Sequence, residues 1–435
     1  MTETKNSKYD IGIMGFWCGL NYGSVLTYYA LNKVLNDMGY SVLMIEKPAY
    51  TSDPELDINT HSRQFAINHY NISQYRTIEQ LPELNNHCNT FLLGSDQVFN
   101  PGCYKGFKNT LFFDFVDDNK KKIAYASSFG HDSLYFPITE KIKLNYYLNK
   151  FDGLSVREKS GVHLLKKMGL KSEHVLDPIF ICDVKHYENL ITEVDEIQKQ
   201  PFVLSYILDP NQGKKKLIQE VMVNKNLQGI HILDGLPHKY EKNKELLNLD
   251  GILPPTNIQT VLAHYKNAEF VITDSFHGTC MAILFKKPFI AIANRHRGVS
   301  RFVSLLQLLK LTDRLIYKIG DEELNNKALL NEIDYEAVYS ILNQEKEKSF
   351  NWLKNTLNKK AKNKKDNIFD KIIRKYFESG IDESYVMTYL RYAAYKINTY
   401  VSFGKSKNIN MKRRDKYHNE VRKIRNNRRI SKNVQ

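Results

Sequence analysis

Along residues 1–320, short apolar runs alternate with amphipathic stretches, in the rhythm of strand, helix and next strand. "DIGIMGF" (10–16) reads as a buried strand. "SVLTYYALNKVLNDMGY" (24–40) follows as a helix, with Ser24 placed to cap it and Gly39 to stop it. "SVLMIE" (41–46), "TFLLG" (90–94), "KIAYAS" (122–127), "FDGLSV" (151–156) and "SEHVLD" (172–177) continue the strand series. After "KQP" (199–201) it restarts with "FVLSYIL" (202–208), "GIHIL" (229–233), "EFVITD" (269–274) and "FIAIA" (289–293). Continuous apolar strands separated by helices predict an α/β protein with parallel layers. Two series predict two Rossmann-like domains, over 1–190 and 200–345, with an extension over 346–435. No internal repeat is visible.

Ligands of open parallel sheets bind beyond the carboxyl ends of the strands. Polar motifs follow five of the predicted strands: "WCGLNYGS" after the first, then "SDQVFNP", "SFGHD", Arg157-Glu158-Lys159 and "DSFHGT". Five along one rim mark a cleft, with the second domain as its opposite wall.

Charge changes the picture only at one end. The formal net charge is +15, yet residues 351–435 hold 23 Lys+Arg against 7 Asp+Glu, leaving 40 against 41 in 1–350. A neutral body with a basic, largely helical or disordered extension follows. The extension is expected to be solvated. Its functional readings are attraction to an anionic membrane surface, at about 1 kcal/mol per base, and nonspecific nucleic-acid binding. No aromatic-interleaved RNA motif or zinc module supports the second, so nucleic acid is not an expected partner. The tyrosine-rich stretch 385–403 is a candidate for docking on the body or at a lipid interface.

No run approaches the roughly 20 apolar residues of a membrane span. The polar N-terminus has no secretory apolar region, so a cytoplasmic protein is expected, at most peripheral at the inner face of a membrane. Cys18, Cys88, Cys103, Cys182 and Cys280 are scattered, without CxxC or zinc spacing, and read as structural thiols; no metal site is expected.

Seven motifs, in order, resemble the polysaccharide pyruvyl transferase family: "NYGSVLTYYAL" (21–31), "GSDQVFNP" (94–101), "KIAYASSFG" (122–130), "LSVREKSG" (154–161), "VLDPIFI" (175–181), "ITDSFHGTCMAILFKKPFIAI" (272–292) and "SRFVSLLQLLKL" (300–311). The resemblance implies a fold like that of GT-B glycosyltransferases. It also implies transfer of a pyruvyl group from phosphoenolpyruvate, as donor substrate with no cofactor, to two hydroxyls of a sugar, lipid-linked or nucleotide-linked. The alternative is a GT-B glycosyltransferase using a nucleotide sugar.

Phosphoenolpyruvate carries two anionic groups. Arg157 offers a planar fork. The helix opening at "GTCMAILF" offers a dipole and N–H groups, with Gly278 allowing close approach and Thr279 adding a hydroxyl. His277, at its mouth, is the expected general acid, matching a functional histidine of the family. Asp96 is expected as base or acceptor-orienting group, or as an Asx-turn residue. Asn21 and Gly23 read as a sugar-facing loop or as a tight strand–helix turn. Asp274 is a candidate helix cap, and Asp177 is expected to be structural. Relatives in the family often carry an arginine two positions before this histidine; here Ser275 stands there. Arg295, Arg297 and Arg301 in "NRHRGVSR" (294–301) are the candidates to replace it.

Overall fold

The computed structural model describes residues 8–48, 60–74, 77–134, 136–192, 194, 200–234 and 237–362, and a few positions between 411 and 422. The predicted extension, 346–435, therefore lies outside the described residues from 363 on, apart from those few positions, and 385–403 is among the residues not described. Among the described residues, no helix is long and apolar enough to cross a membrane.

Two all-parallel sheets form. The first contains β1 (Tyr9–Met14), β2 (Val42–Met44), β3 (Asn71–Ile72), β4 (Cys88–Leu93), β5 (Lys121–Ser127), β6 (Gly153–Val156) and β7 (Glu173–His174). Its order is β3-β2-β1-β4-β5-β6-β7. The second contains β8 (Phe202–Ile207), β9 (Gln228–Leu233), β10 (Phe270–Thr273), β11 (Phe289–Ile292) and β12 (Leu315–Ile316), in the order β12-β11-β10-β8-β9. Strands such as β8 and β10 are buried along their whole length, as sheets covered by helices on both faces require. The first order reverses between β1 and β4, and the second between β8 and β10. Those are the two topological switch points where such sheets open a crevice.

Both sheets belong to one compact unit, Met1–Leu134 with Tyr147–Asn363; Tyr135–Tyr146 and Lys364–Gln435 make up a second. One apolar cluster runs from the first sheet to the second. It joins Val25, Leu26 and Tyr29 of the helix Tyr22–Asp37 to Ile179 and Phe180, and to Leu262, Met281 and Ile283. The crevice walls are thus fixed by shared packing rather than by a linker.

Three local expectations are corrected. The cap of the helix Tyr22–Asp37 is Asn21, whose side chain accepts from Gly23 N and Ser24 N, and Ser24 lies within the first turn. Short strands β3 and β12 are absent from the predicted series, each being only two residues long. The expected boundary at 345–346 falls inside the helix Tyr335–Asn358. Its buried Ser349, Leu353 and Leu357 share one face at a four-residue spacing. Ser349 Oγ accepts from Leu176 N at 2.9 Å, so this part of the basic region belongs to the folded body.

His231 on β9 is buried, with Nδ1 2.8 Å from Ser205 Oγ and Nε2 without a partner. Burial pushes its pKa down to about 4. The unfolded chain, with a histidine pKa near 6.5, takes up this proton first. The associated stability is therefore complete above about pH 6.5 and is lost toward pH 4, at up to about 1.4 kcal/mol per pH unit. His231→Asn is expected to flatten the decline in unfolding free energy between pH 6.5 and 4, as measured by urea titration; an unchanged slope would contradict this.

Candidate functional site

At the β8/β10 switch point the chain leaves β10 through Asp274 and Ser275 and enters the helix Phe276–Leu284. Asp274 does not cap this helix. Its carboxylate accepts from Leu208 N (2.6 Å) and Asp209 N (3.1 Å) and pairs with Lys214 (2.7 Å), tying β8 to β10. Ser275 is the N-cap, with Oγ accepting from Gly278 N at 3.2 Å. The predicted anion-binding terminus is therefore partly satisfied from within. Thr279 is buried with its hydroxyl donating to Ser275 O, and Gly278 packs against Thr273 and Tyr265 where a Cβ would clash.

His277, in the first turn, crosses to the first sheet. Its Nε2 lies 2.9 Å from Arg157 Nη1. Beneath the ring lies Gly23, at the start of the helix that follows β1. A Cβ there would come within 2.3 Å of His277 Cβ and Nδ1, so residue 23 must be small for the imidazole to reach across. Asn21 acts through the cap that shapes this turn.

Arg157, just past β6, has a fully buried side chain. Its Nη1 also contacts Asp177 Oδ2 (2.6 Å) and Ser95 Oγ (3.2 Å), and its Nη2 donates to Asp96 Oδ1 (2.9 Å). Asp96 follows β4 in a left-handed conformation, φ 86°, uncommon for a residue with a side chain. Its Oδ1 also accepts from Gln97 N (2.8 Å), the next residue and not the one two positions on that an Asx turn would use.

Asp177, expected to be structural, is the centre of the cluster. It follows β7 and accepts from Thr27 Oγ1 (2.7 Å), Ser95 Oγ (3.0 Å), Ile179 N (3.1 Å) and Arg157, and lies 3.7 Å from His277 Nε2. Burial acts to raise its pKa, but His277 and Arg157 override it and hold the carboxyl well below the usual range. Asp96 is likewise lowered against its burial, chiefly by Arg157. Burial would lower the Arg157 pKa, yet Asp177 and Asp96 raise it.

The arginines of 294–301 separate. Arg295 is exposed. Arg297 pairs with Asp209 (2.7 and 3.0 Å) and Asp234 (2.9 Å) on the rim of the second sheet. Arg301 reaches the cluster: it is buried, with Nη1 4.0 Å from Asp96 Oδ1.

Comparison with known proteins follows the same line. The profile described as Polysaccharide pyruvyl transferase matches residues 21–296. The chain belongs to the polysaccharide pyruvyl transferase family. No curated protein matches it. Among solved structures, UDP-N-acetylglucosamine 2-epimerase from Rickettsia bellii is similar at 11% identity and TM-score 0.50, over 80% of this chain and 96% of that one. The S. aureus MnaA-UDP co-structure aligns at 12% identity and TM-score 0.48, over 85% and 96%. The fold of this family member is accordingly GT-B-like, with two Rossmann-like sheets facing one crevice.

Gly23→Ala is expected to cost about 1–3 kcal/mol by overpacking against His277. The loss should largely vanish in the background of His277→Gly, which removes the Cβ as well as the ring, in a double-mutant cycle of unfolding free energies. Additive losses would mean that the two residues do not share this contact.

Proposed function

We propose that this polysaccharide pyruvyl transferase family member moves a pyruvyl group from phosphoenolpyruvate onto two hydroxyls of a sugar in a cell-surface polysaccharide or its precursor. The observation that carries the reading is the contact of His277 Nε2 with Arg157 Nη1, where the rims of the two sheets meet. A permanently charged fork for an anionic donor stands directly beside a group able to move a proton.

In this chemistry the donor methylene takes a proton from His277, the expected general acid, which leaves the adjacent carbon electrophilic. One sugar hydroxyl adds there and loses its proton. The bond from that carbon to the phosphate oxygen then breaks, and the second hydroxyl closes the ketal, its proton balancing the departing phosphate. Having given its proton to the methylene, His277 takes up the one that the first hydroxyl loses. Its Nε2 lies 2.9 Å from Arg157 Nη1, beside the charged fork proposed for the donor. Asp177 holds Arg157 in place, and Asp96 orients the guanidinium from the other side.

A nucleotide-sugar donor, the alternative consistent with a GT-B-like fold, fits the second sheet's rim less well. Asp209, Asp234 and Asp274 face Arg297 and Lys214 there, and a diphosphate would meet an excess of carboxylates.

Incubation with phosphoenolpyruvate and a broad glycan panel is expected to give acceptor-dependent phosphate release. His277→Ala should lower it by about 10²–10⁴-fold. Release that is absent across the panel, or undiminished in the variant, would count against the proposal.

A further inference from the structure

The loop 294–301 brings one arginine into the cluster and leaves it without a full set of partners. The guanidinium carbon of Arg301 lies 5.3 Å from the ring centroid of Phe276, and that of Arg157 lies 4.8 Å from the same centroid. Arg301 Nη2 donates to Arg297 O, its Nη1 sits at the outer ion-pair distance of 4.0 Å from Asp96, and its Nε is buried with no hydrogen-bond partner among the described residues. Arg157 Nε is buried and unpartnered as well. Unmet buried donors of this kind are rare and costly.

Nearby carboxylates do not supply the missing acceptors. Asp96 Oδ1 is shared by Arg157 and Gln97 N, and Asp177 is taken by Arg157, Thr27 and Ser95. Glu158 Oε1 accepts from Ser128 Oγ (3.0 Å) and Phe129 N (2.8 Å); its Oε2 is buried without a hydrogen-bond partner among the described residues, and it attracts both arginines only from beyond ion-pair range. Burial, followed by the like charge of Arg157, pulls Arg301 down to about 10. It stays charged at neutral pH, at a cost that a bound anion would relieve. Its position is set by backbone rather than by chance: Gly298, at φ +94°, sits where a Cβ would come within 1.8 Å of Gly130 O, so the loop is pressed against the first sheet's rim.

The geometry points to a two-arginine site, Arg157 and Arg301 beside Phe276, for a small dianion bearing both carboxylate and phosphate, with Arg301 supplying the guanidinium that position 275 lacks. This rests on the donor reading proposed above and adds the residue that makes the second anion contact.

Calorimetric titration of the full-length chain with phosphoenolpyruvate, orthophosphate and UDP tests it, on wild type, Arg301→Gln, Arg301→Lys and the exposed charge-loss control Lys216→Gln. Wild type and Lys216→Gln should bind phosphoenolpyruvate equally, and more tightly than orthophosphate. Arg301→Gln should weaken binding by about 10- to 100-fold, the scale of a lost charge-assisted contact. Arg301→Lys keeps the charge but not the Nε donor and should fall between; it also decides the matter if the glutamine variant does not fold. Undiminished phosphoenolpyruvate affinity in either folded Arg301 variant would overturn the Arg301 assignment and leave the donor reading intact. Binding of UDP with no response to phosphoenolpyruvate in wild type would overturn both.

Discussion

A guanidinium sealed from water has to be answered by partners on every side, and the structure is organised around how Arg157 is answered. Asp177, Asp96 and Ser95 come from the first sheet's rim, and His277 from the second. Stripping one partner from a buried ion pair costs about 3–5 kcal/mol, while well-packed apolar residues would serve stability as well or better. A buried network at this spot is thus weakly accounted for by stability and well accounted for by the need to hold charge ready. Arg157 and Arg301 each keep a buried Nε without a hydrogen-bond partner among the described residues.

The fold delivers these groups because each sheet has a switch point and the two switch points face one another. The first sheet presents its loops after β1, β4, β6 and β7; the second presents the turn after β10. Continuous apolar packing between the helix Tyr22–Asp37 and the helix Phe276–Leu284 sets the separation. Gly23 then lets the imidazole bridge it. His277 is placed by the packing of its own helix, Phe276–Leu284, against the core.

Much of this could be read along the chain, because parallel strands buried on both faces leave apolar runs that β-branched and aromatic residues make conspicuous. The restart at Phe202, the motif ends and the histidine at a helix mouth are local signals. What escaped was pairing. Asp177 precedes Pro178 and looks like a capping aspartate, which it also is, since it accepts from Ile179 N. Its contact with Thr27 depends on a partner far away in sequence. The three arginines of 294–301 are alike as letters. Only tertiary contact sends Arg297 to Asp209 and Arg301 to Phe276, and leaves Arg295 exposed. In "NYGS" both Asn21 and Ser24 are good caps, and backbone geometry rather than composition chooses Asn21. The lysines that follow from Lys359 on likewise hid the apolar face of the helix Tyr335–Asn358.

The most direct measurement is a crystal structure of the protein soaked with phosphoenolpyruvate. The account predicts density for the enol between the guanidiniums of Arg157 and Arg301, with its carbon skeleton against His277 and with the Arg157–His277 contact lengthened. Density on the Asp209–Asp234 rim, or an unbroken Arg157–His277 contact with the enol bound elsewhere, would contradict it.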